Sequence, residues 1–257
     1  MLSKAKIKYV RSLNQKKYRK QECAFVAEGP KTVEDLLHVM PAREIFATRG
    51  WLEGYSGQLE GDTVHEISDD ELARLSFLQH PQKVLAVFAL PERQKPVSVD
   101  TGKLSLALDG VQDPGNLGTI IRIADWFGIE NIYCSEDTAD AYNPKVVQAT
   151  MGSIARVKLF YADLTDLIRS LPKEFPVYGT MLDGDNIYTK RLSANGLVVM
   201  GNEGKGISPQ VAKWIGSRLL IPNFPESRDT ADSLNVAIAT AVICAEFRRQ
   251  QYGTGTL

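Results

Sequence analysis

Short apolar runs alternate with helix-like segments throughout the second half of the chain, and this alternation constrains the fold more than any other feature. Strands are predicted at residues 104–108, 131–134, 177–180, 197–200 and 219–221, and helices at residues 118–127, 144–151, 164–170, 209–215 and 234–249. Strands and helices that alternate in this way are typical of a mostly parallel sheet covered by helices. The sequence therefore predicts an α/β fold for this half.

The first half of the chain shows a shorter version of the same pattern. Strands are predicted at residues 24–27, 44–47, 64–67 and 84–90, with a helix at residues 30–39 and a second one that Ser68 caps and Leu75 ends. The polar segment 91–96 contains two prolines and is predicted to be a linker. These features predict a smaller α/β domain at residues 1–95 and a larger one at residues 96–257.

Charge is unevenly distributed along the chain. The formal net charge is −1 over 257 residues, so the whole protein is not a general binder of polyanions. The first twenty residues nevertheless contain no acid and these basic residues: Lys4, Lys6, Lys8, Arg11, Lys16, Lys17, Arg19 and Lys20. Such a run can neutralise phosphates, or it can be a solvated, partly frayed terminus. The sequence leaves both interpretations open.

Cysteine and histidine are few and scattered. Cys23, Cys134 and Cys244 form no C-x-x-C pair, so neither a zinc site nor a disulfide framework is indicated, and no metal is predicted. This usage is typical of a reducing cytoplasm. No secretion signal is predicted at the start of the chain, and the longest apolar stretch, residues 236–245, is far shorter than the ~20 residues that span a bilayer. We expect a cytoplasmic protein that does not contact a membrane.

A polar, glycine-containing turn follows the predicted strand that ends at Leu108. Ligands of α/β sheets bind at this carboxyl end of the strands. Asn116 comes just before the predicted helix, and Arg122 lies inside it among isoleucines. A charge in such surroundings needs a partner or a pocket. Arg122 is therefore either a functional guanidinium or half of a buried ion pair with Asp109 or Asp125.

Two further strands end in candidate ligand-binding turns. Residues 201–206 contain three glycines and one acid, Glu203, but match neither a P-loop nor G-x-G-x-x-G. After the strand that ends at Ile221, a polar loop leads to the long final helix. Ser233 is a good N-cap for this helix, and the Asn235 amide is placed to hold a polar substrate group. The helix is apolar on nearly every side, which predicts burial against the sheet or a partner chain.

Together these segments resemble the SpoU/TrmH family of SPOUT RNA methyltransferases over residues 104–250. The motif D-x-x-x-D-P-x-N-x-G-x-x-x-R stands at Asp109–Arg122, G-N-E-G-x-G at Gly201–Gly206, and I-P with S-L-N-V between Ile221 and Val236. N-P-K-V-V at residues 143–147 also fits the family. The first half, with F-V-A-E-G-P at residues 25–30, resembles the ribosomal-protein-like substrate-binding domain of this family.

The resemblance implies a C-terminal SPOUT domain with a trefoil knot and a homodimer formed through that domain and the final helix. It also implies S-adenosylmethionine (SAM) as cofactor and no metal. The residues expected to contact SAM, largely through main-chain groups, are Thr180, Met200, Gly201, Ile221 and Leu234. Arg122 matches the family's essential arginine, and the residues matching its active-site partners are Asn116, Glu203, Ser233 and Asn235.

The activity implied is methylation of a ribose 2′-hydroxyl in structured RNA, with ribosomal RNA preferred over transfer RNA by analogy with the N-terminal domain. Arginine is a poor base because its pKa lies above ~12. Arg122 is therefore expected to clamp a phosphate and orient the hydroxyl, while Glu203 or water takes the proton. The alternatives are a non-catalytic RNA-binding or ribosome-assembly factor, and a dehydrogenase, which the absent G-x-G-x-x-G disfavours.

Overall fold

The protein is described by a computed structural model that covers residues 2–59, 61–91, 98–225 and 228–252. It divides into two compact units, one of residues 1–92 with 140–155 and one of residues 93–139 with 156–257. Most of the predicted linker at residues 91–96 lies outside the described residues. The predicted boundary between residues 95 and 96 therefore stays a prediction.

The helices and strands follow the predicted order closely. The helices are α1 (Lys4–Ser12), α2 (Lys16–Glu22), α3 (Pro30–Leu37), α4 (Arg49–Gly54), α5 (Asp69–Leu75), α6 (Pro114–Trp126), α7 (Pro144–Ala149), α8 (Leu164–Arg169), α9 (Pro209–Ala212) and α10 (Val236–Tyr252). The strands are β1 (Ala24–Glu28), β2 (Ala42–Ala47), β3 (Val64–Glu66), β4 (Val84–Ala89), β5 (Leu104–Asp109), β6 (Asn131–Cys134), β7 (Lys158–Tyr161), β8 (Val177–Asn186), β9 (Gly196–Gly201) and β10 (Ser217–Leu220).

The first unit contains a four-stranded sheet in the order β1-β4-β2-β3. Strand β4 is antiparallel to both β1 and β2, whereas β2 and β3 are parallel. Helix α5 begins with the predicted cap, since Ser68 accepts from the Glu71 N–H and the Glu71 carboxylate accepts from the Ser68 N–H. The four strands predicted for this half are therefore confirmed, and so is the Ser68 cap.

The basic N-terminal segment is part of the folded core. It forms α1 and α2, which the sequence did not predict because positive charge masks their short apolar pattern. Val10 and Leu13 are fully buried, and Arg19 is 2% exposed. The Arg19 guanidinium donates to the carbonyls of Leu13 and Asn14 and pairs with Asp140 at 2.6 Å. The interpretation as a frayed terminus is therefore wrong.

Glu28, the last residue of β1, is a buried acid without a cationic partner at hydrogen-bond distance among the described residues. It is 6% exposed, and its carboxylate accepts hydrogen bonds from the Ser76 hydroxyl and, at 2.8 Å, from the Phe77 N–H. Burial is the largest influence and raises the pKa of Glu28 above its ordinary value of 4.5, although the two hydrogen bonds act against it. Ionised Glu28 is therefore a cost to the folded state at neutral pH.

We expect Glu28→Gln to stabilise the protein at pH 8 and not at pH 4. Because folding raises this pKa, the contribution of Glu28 is fully present below 4.5 and is lost as pH rises through the folded-state pKa. The amide keeps an acceptor for the Phe77 N–H and carries no charge. Thermal unfolding from pH 4 to pH 8 should show the variant gaining roughly 2–4 °C at the upper end. A gain that shrinks as pH rises would contradict this account.

The second unit contains a six-stranded sheet in the order β10-β8-β9-β5-β6-β7. Every neighbouring pair in it is parallel, which confirms the predicted parallel α/β fold. Strand β7 was not predicted. It is a four-residue edge strand, paired to β6 and only partly buried, so it lacks the apolar run that identified the central strands.

The sheet register brings the predicted turns together. Asp109, at the end of β5, pairs with Gly201, at the end of β9. Strand β8 pairs with β9 up to Gly179 and with β10 at Gly179 and again from Asp185, so residues 180–184 depart from the ladder beside β9. One side of the sheet is therefore formed by the carboxyl ends of β5 and β9 together with the bulge of β8.

Helices α6 and α10 lie side by side and run in the same direction. Their amino ends meet through Asn116 and Asn235, and their carboxyl ends meet where Arg248 donates to the Phe127 carbonyl at 2.7 Å. One side of α10 is buried at Val236, Thr240, Ile243 and Phe247, but Ile238 is 54% exposed. Burial on nearly every side is therefore not seen within the described chain. Its other side is open.

None of the described helices combines the length and the apolar character needed to cross a bilayer. Across the same residues, no group of three or more His, Cys, Asp or Glu side chains is placed to hold a metal ion.

Candidate active site

The glycine-rich turn after β9 is closed by Asn202. Its main-chain N–H and carbonyl both pair with Gly206, at 3.0 and 2.9 Å. Its side-chain oxygen accepts from the N–H groups of Gly204 and Lys205, and its amide nitrogen donates to the Gly110 carbonyl at 2.7 Å. Asn202 therefore shapes this turn and ties it to the turn after β5. The sequence prediction missed Asn202, although its position inside the glycine motif was a usable signal.

Gly201 has to be glycine for a steric reason. A Cβ atom at this position would lie 2.3 Å from the Gly206 carbonyl carbon and from the Ile207 nitrogen. Any side chain would therefore force the two arms of the turn apart. Met200, which is 1% exposed, and Gly201 are both buried, so the carboxyl end of β9 packs tightly against its own turn.

Asp109 holds the other side of this pair of turns. Its carboxylate accepts from the Ser208 N–H at 2.7 Å. The predicted alternative, a buried ion pair of Arg122 with Asp109 or Asp125, is wrong. Asp125 pairs with Arg156 at 2.8 Å, and Arg122 is exposed. The sequence could not show this, because an apolar run around a charge does not reveal which side of the helix faces solvent.

Asn116 lies within the first turn of α6, which starts four residues before the predicted Gly118. The helix begins early because Asp113 is its N-cap and accepts from the Asn116 N–H at 2.8 Å, with Pro114 at the first helical position. The Asn116 side chain is thereby fixed at the amino end of α6, beside the two turns.

Asn235, and not Ser233, is the N-cap of α10. Its side-chain oxygen accepts from the N–H groups of Ala237 and Ile238, at 3.0 and 3.2 Å. Ser233 and Leu234 lie in the preceding loop with exposed side chains. The prediction failed because both Ser and Asn are good caps, and the sequence alone does not say which one the helix uses.

Three polar side chains from distant segments form one directed chain of hydrogen bonds. Because the cap occupies the Asn235 oxygen, its nitrogen points outward and donates to the Asn116 oxygen at 3.0 Å. The Asn116 nitrogen must then donate, and it does so to the Glu203 carboxylate at 2.8 Å. The amino end of α10 thus sets the orientation of both amides and presents Glu203 as an acceptor.

Arg122 takes no part in these hydrogen bonds. Within the described residues it has no ion pair, and it lies six positions after Asn116 on α6. That spacing places the two side chains about 120° apart around the helix axis. Arg122 instead shares an exposed side of α6 with Thr119 and with Trp126, which is 85% exposed. The structure therefore brings together Asn116, Glu203 and Asn235 and leaves Arg122 on the neighbouring surface.

Four of the five residues expected to hold SAM lie on or directly after three adjacent strands, β9, β8 and β10. The fifth, Leu234, lies in the loop before α10. Thr180 starts the bulge of β8 and donates to the Val199 carbonyl at 3.3 Å. Met200 and Gly201 end β9, and Ile221 directly follows β10. Leu182 and Leu234 expose apolar side chains, at 72% and 53%. Main-chain groups at the carboxyl ends of these strands together with uncovered apolar side chains fit a cofactor that has both polar and apolar parts.

Two protein families match different parts of the chain. Residues 103–245 match the SpoU rRNA Methylase family, and residues 4–86 match the MRM3-like substrate binding domain. The chain is 30% identical to 23S rRNA (guanosine(2553)-2′-O)-methyltransferase RlmP of Bacillus subtilis, over 95% of this chain and 96% of that protein.

Solved structures show the same fold. A TrmH-family protein from Porphyromonas gingivalis is 43% identical, with a TM-score of 0.87 over 97% of this chain and 99% of the other. An rRNA methyltransferase from Sinorhizobium meliloti with bound AdoMet is 32% identical, with a TM-score of 0.83 over 97% and 96% of the two chains. On this evidence the chain belongs to the SpoU rRNA methylase family, as its motifs predicted.

Proposed function

We propose that this protein transfers a methyl group from SAM to a ribose 2′-hydroxyl of ribosomal RNA. The observation that carries the proposal is the chain from Asn235 through Asn116 to Glu203, which lies beside the Gly201 turn. The names of RlmP and of the AdoMet-bound relative support both the cofactor and the RNA class. The two family matches support an RNA-binding domain at residues 1–95 and a methyltransferase domain at residues 96–257.

The cofactor supplies an electrophilic methyl group. We infer that it is held by main-chain groups of Met200, Gly201 and Ile221, with Thr180 and Leu234 packed against it. Pre-positioning of the ribose oxygen relative to that methyl group contributes several kcal/mol, up to ~7–11 in the best cases. Ser233, exposed in the loop before Asn235, offers a hydroxyl to the ribose.

We assign proton removal to Glu203. One of its oxygens is held by Asn116 at 2.8 Å, and the side chain is exposed at the turn, where a 2′-hydroxyl can approach. A carboxylate accepts a proton far more readily than a guanidinium does, because arginine stays protonated at any physiological pH. Arg122 is left with the role of binding the neighbouring phosphate through paired N–H donors.

We also propose that the protein is a homodimer and that the dimer brings Arg122 to the active site of the partner. Trp126 on α6 and Ile238 on α10 expose large apolar side chains on two adjacent helices. A partner that covers this pair of helices removes both side chains from water. Arg122 shares the exposed side of α6 with Trp126, so a partner that covers Trp126 also meets Arg122. A trefoil knot remains part of this proposal, supported by the family match over residues 103–245.

The exposed lysines of α1 and α2 are proposed to bind the RNA backbone. Of the basic residues near the amino end, Arg19 is buried and Lys6 pairs with Glu44 at 2.6 Å. The others are exposed, as a solvated phosphate-binding surface requires: Lys4, Lys8, Arg11, Lys16, Lys17 and Lys20. Burial of Arg19 and Val10 means that deletion of this segment would damage the fold, so substitution is the appropriate test.

We expect replacement of the five exposed lysines by glutamine to weaken RNA binding without unfolding the protein. Affinity for ribosomal RNA fragments should fall about tenfold or more at 0.1 M salt, and the dependence of log K on log salt should flatten, since each lost phosphate contact removes roughly 0.7–0.9 from the slope. Lys158, Lys173 and Lys213, exposed in the other unit, serve as controls when changed to glutamine. An unchanged slope in the five-fold variant would contradict the proposed surface.

The decisive experiment is methyl transfer from labelled SAM to ribosomal RNA, followed by mass-spectrometric mapping of 2′-O-methyl sites in cells with and without the gene. We expect one or a few sites to disappear in the deletion strain. RNA binding without methyl transfer would favour the alternative, a non-catalytic assembly factor. Loss of sites from transfer RNA instead would show that the substrate is transfer RNA.

We place the protein in the cytoplasm, supported by its three free cysteines.

A further inference from the structure

The first unit contains a cavity that has no part in the proposed active site. It measures about 290 Å³. Its lining includes Asn14, Glu28, Phe77, Lys145, Gln148 and Ala149. Ligand cavities usually measure ~300–1,000 Å³, so this one suits a single small group. All of these residues belong to the first unit, since residues 140–155 fold with the N-terminal residues.

The walls of the cavity are apolar and partly aromatic. Phe77 and Leu78 are half-buried on one side, and Pro144 and Ala149 belong to α7 on another. The Arg11 guanidinium lies 5.4 Å from the centre of the Phe77 ring and donates to the Ser76 carbonyl at 2.7 Å. Apolar and aromatic side chains beside a guanidinium are the groups with which proteins hold unstacked nucleobases.

Gln148 supplies an unused polar group at this cavity. Its side-chain oxygen is buried and has no hydrogen-bond partner among the described residues. Buried acceptors without a partner are rare in native proteins, because each costs about 1–3 kcal/mol. The last torsion of glutamine is soft, so rotation about it can present this oxygen or the amide nitrogen to the cavity that the side chain lines. A ligand that fills the cavity with an N–H group removes the deficit.

Glu28 adds a second acceptor to the same cavity. It is 6% exposed, and each of its oxygens accepts one hydrogen bond, from Ser76 and from Phe77. A carboxylate oxygen has room for a further donor. Two acceptors at one cavity favour a base with an amino group over uracil, whose edge presents two carbonyl oxygens and one N–H.

The surroundings of the cavity are positive, as a nucleotide requires. Lys145 is exposed at its edge on α7, and Asn14 is exposed in the turn between α1 and α2. The exposed lysines of α1 and α2 flank this turn on both sides, with Lys16 and Lys17 directly after it. The sugar and phosphates of a nucleotide whose base enters the cavity would therefore lie on a basic surface.

We propose that this cavity binds an unpaired base of the RNA substrate that carries an amino group, such as adenine, with Gln148 reading its amino-bearing edge and Phe77 packing against its face. The inference rests on the proposed function, because it takes RNA as the ligand. It adds a sequence-reading site to the N-terminal unit, separate from the methyl-transfer site. Glutamine and adenine form a two-bond pair whose loss costs a measurable factor in affinity.

The test is the binding of fluorescein-labelled hexa-adenylate and hexa-uridylate to the full chain, measured by anisotropy. Wild-type protein should prefer hexa-adenylate by about fivefold or more. Gln148→Met keeps the shape of the side chain and removes both polar atoms, so this preference should disappear in the variant while binding of hexa-uridylate stays unchanged. Gln210→Met, at an exposed glutamine of the other unit, is the matched control and should behave as wild type.

Lys145→Met separates charge from base reading, since it should weaken both oligomers and flatten their salt dependence equally. The melting temperature of Gln148→Met should stay the same or rise, because the unpaired buried oxygen is gone. Equal affinity of wild-type protein for the two oligomers, or an unchanged preference in Gln148→Met, overturns the proposal. Methyl transfer is assayed in parallel to distinguish failure of the cavity proposal from failure of the proposed function. A protein that methylates RNA but shows no preference for adenine would contradict only the cavity proposal.

Discussion

Arg122→Ala is expected to bind SAM as tightly as the wild type and to lose methyl transfer by roughly 100–1,000-fold, the effect typical of removing one charged transition-state contact. The guanidinium lies on the exposed side of α6, away from the Asn116 side chain, and is not needed for the Gly201 turn. Single-turnover methylation and calorimetric SAM binding measure the two effects separately. Arg191→Ala, at another exposed arginine of the same unit, should leave both unchanged.

A mixture of two inactive variants tests whether Arg122 acts in the partner's site. Arg122→Ala and Asn116→Ala are each expected to be inactive. If Arg122 serves the partner, co-refolded protein should recover about a quarter of wild-type turnover, because random pairing makes half of the dimers mixed and each mixed dimer has one intact site. Absence of any recovery in dimers shown to be mixed would place Arg122 in the site of its own chain. Wild-type turnover in Arg122→Ala alone would remove it from the mechanism.

Gly201→Ala is expected to weaken cofactor binding strongly. The added methyl group would lie 2.3 Å from main-chain atoms of Gly206 and Ile207, where no flexible side chain can yield. The turn closed by Asn202 must then open, and the main-chain groups at the end of β9 are displaced. We expect SAM affinity to fall by at least tenfold. The free energy of unfolding should fall by about 1–3 kcal/mol, as for other overpacked sites.

Gly204→Ala is the matched control in the same turn. A Cβ atom there meets only the Asn202 side-chain oxygen, at 3.8 Å, which is ordinary contact. This variant should bind SAM within about twofold of the wild type, since a solvent-facing methyl group disturbs little. Similar losses in both variants would mean that flexibility of the whole turn, and not close approach at Gly201, determines binding.

Much of the fold could be predicted because local signals agree with the tertiary structure. Strands such as β5 and β9 are continuous apolar runs, as fully buried parallel strands require. The signals failed where two local solutions were equally good. Ser233 and Asn235 are both suitable caps, and α10 uses Asn235 because its other amide atom is then free to donate to Asn116.

Helices α1 and α2 were missed for a related reason. Their apolar positions are few and separated by lysines, so the sequence pattern indicated a charged terminus. Burial of Val10 and Leu13 with the strands of the first sheet, and the ion pair of Arg19 with Asp140, are long-range contacts that no local pattern encodes. These long-range contacts also determine which basic side chains are buried or paired and which lysines stay exposed.

The sequence by itself determined the α/β class, most of the strands and the three motifs, because each depends on residue types within a short window. The tertiary structure decided which of those motif residues meet. Parallel pairing of β5 with β9 sets Asp109 beside Gly201, and the amino end of α10 then orients Asn235, Asn116 and Glu203 in turn. It also turned Arg122 away from them, since the direction of a helical side chain depends on which side of the helix the sheet covers.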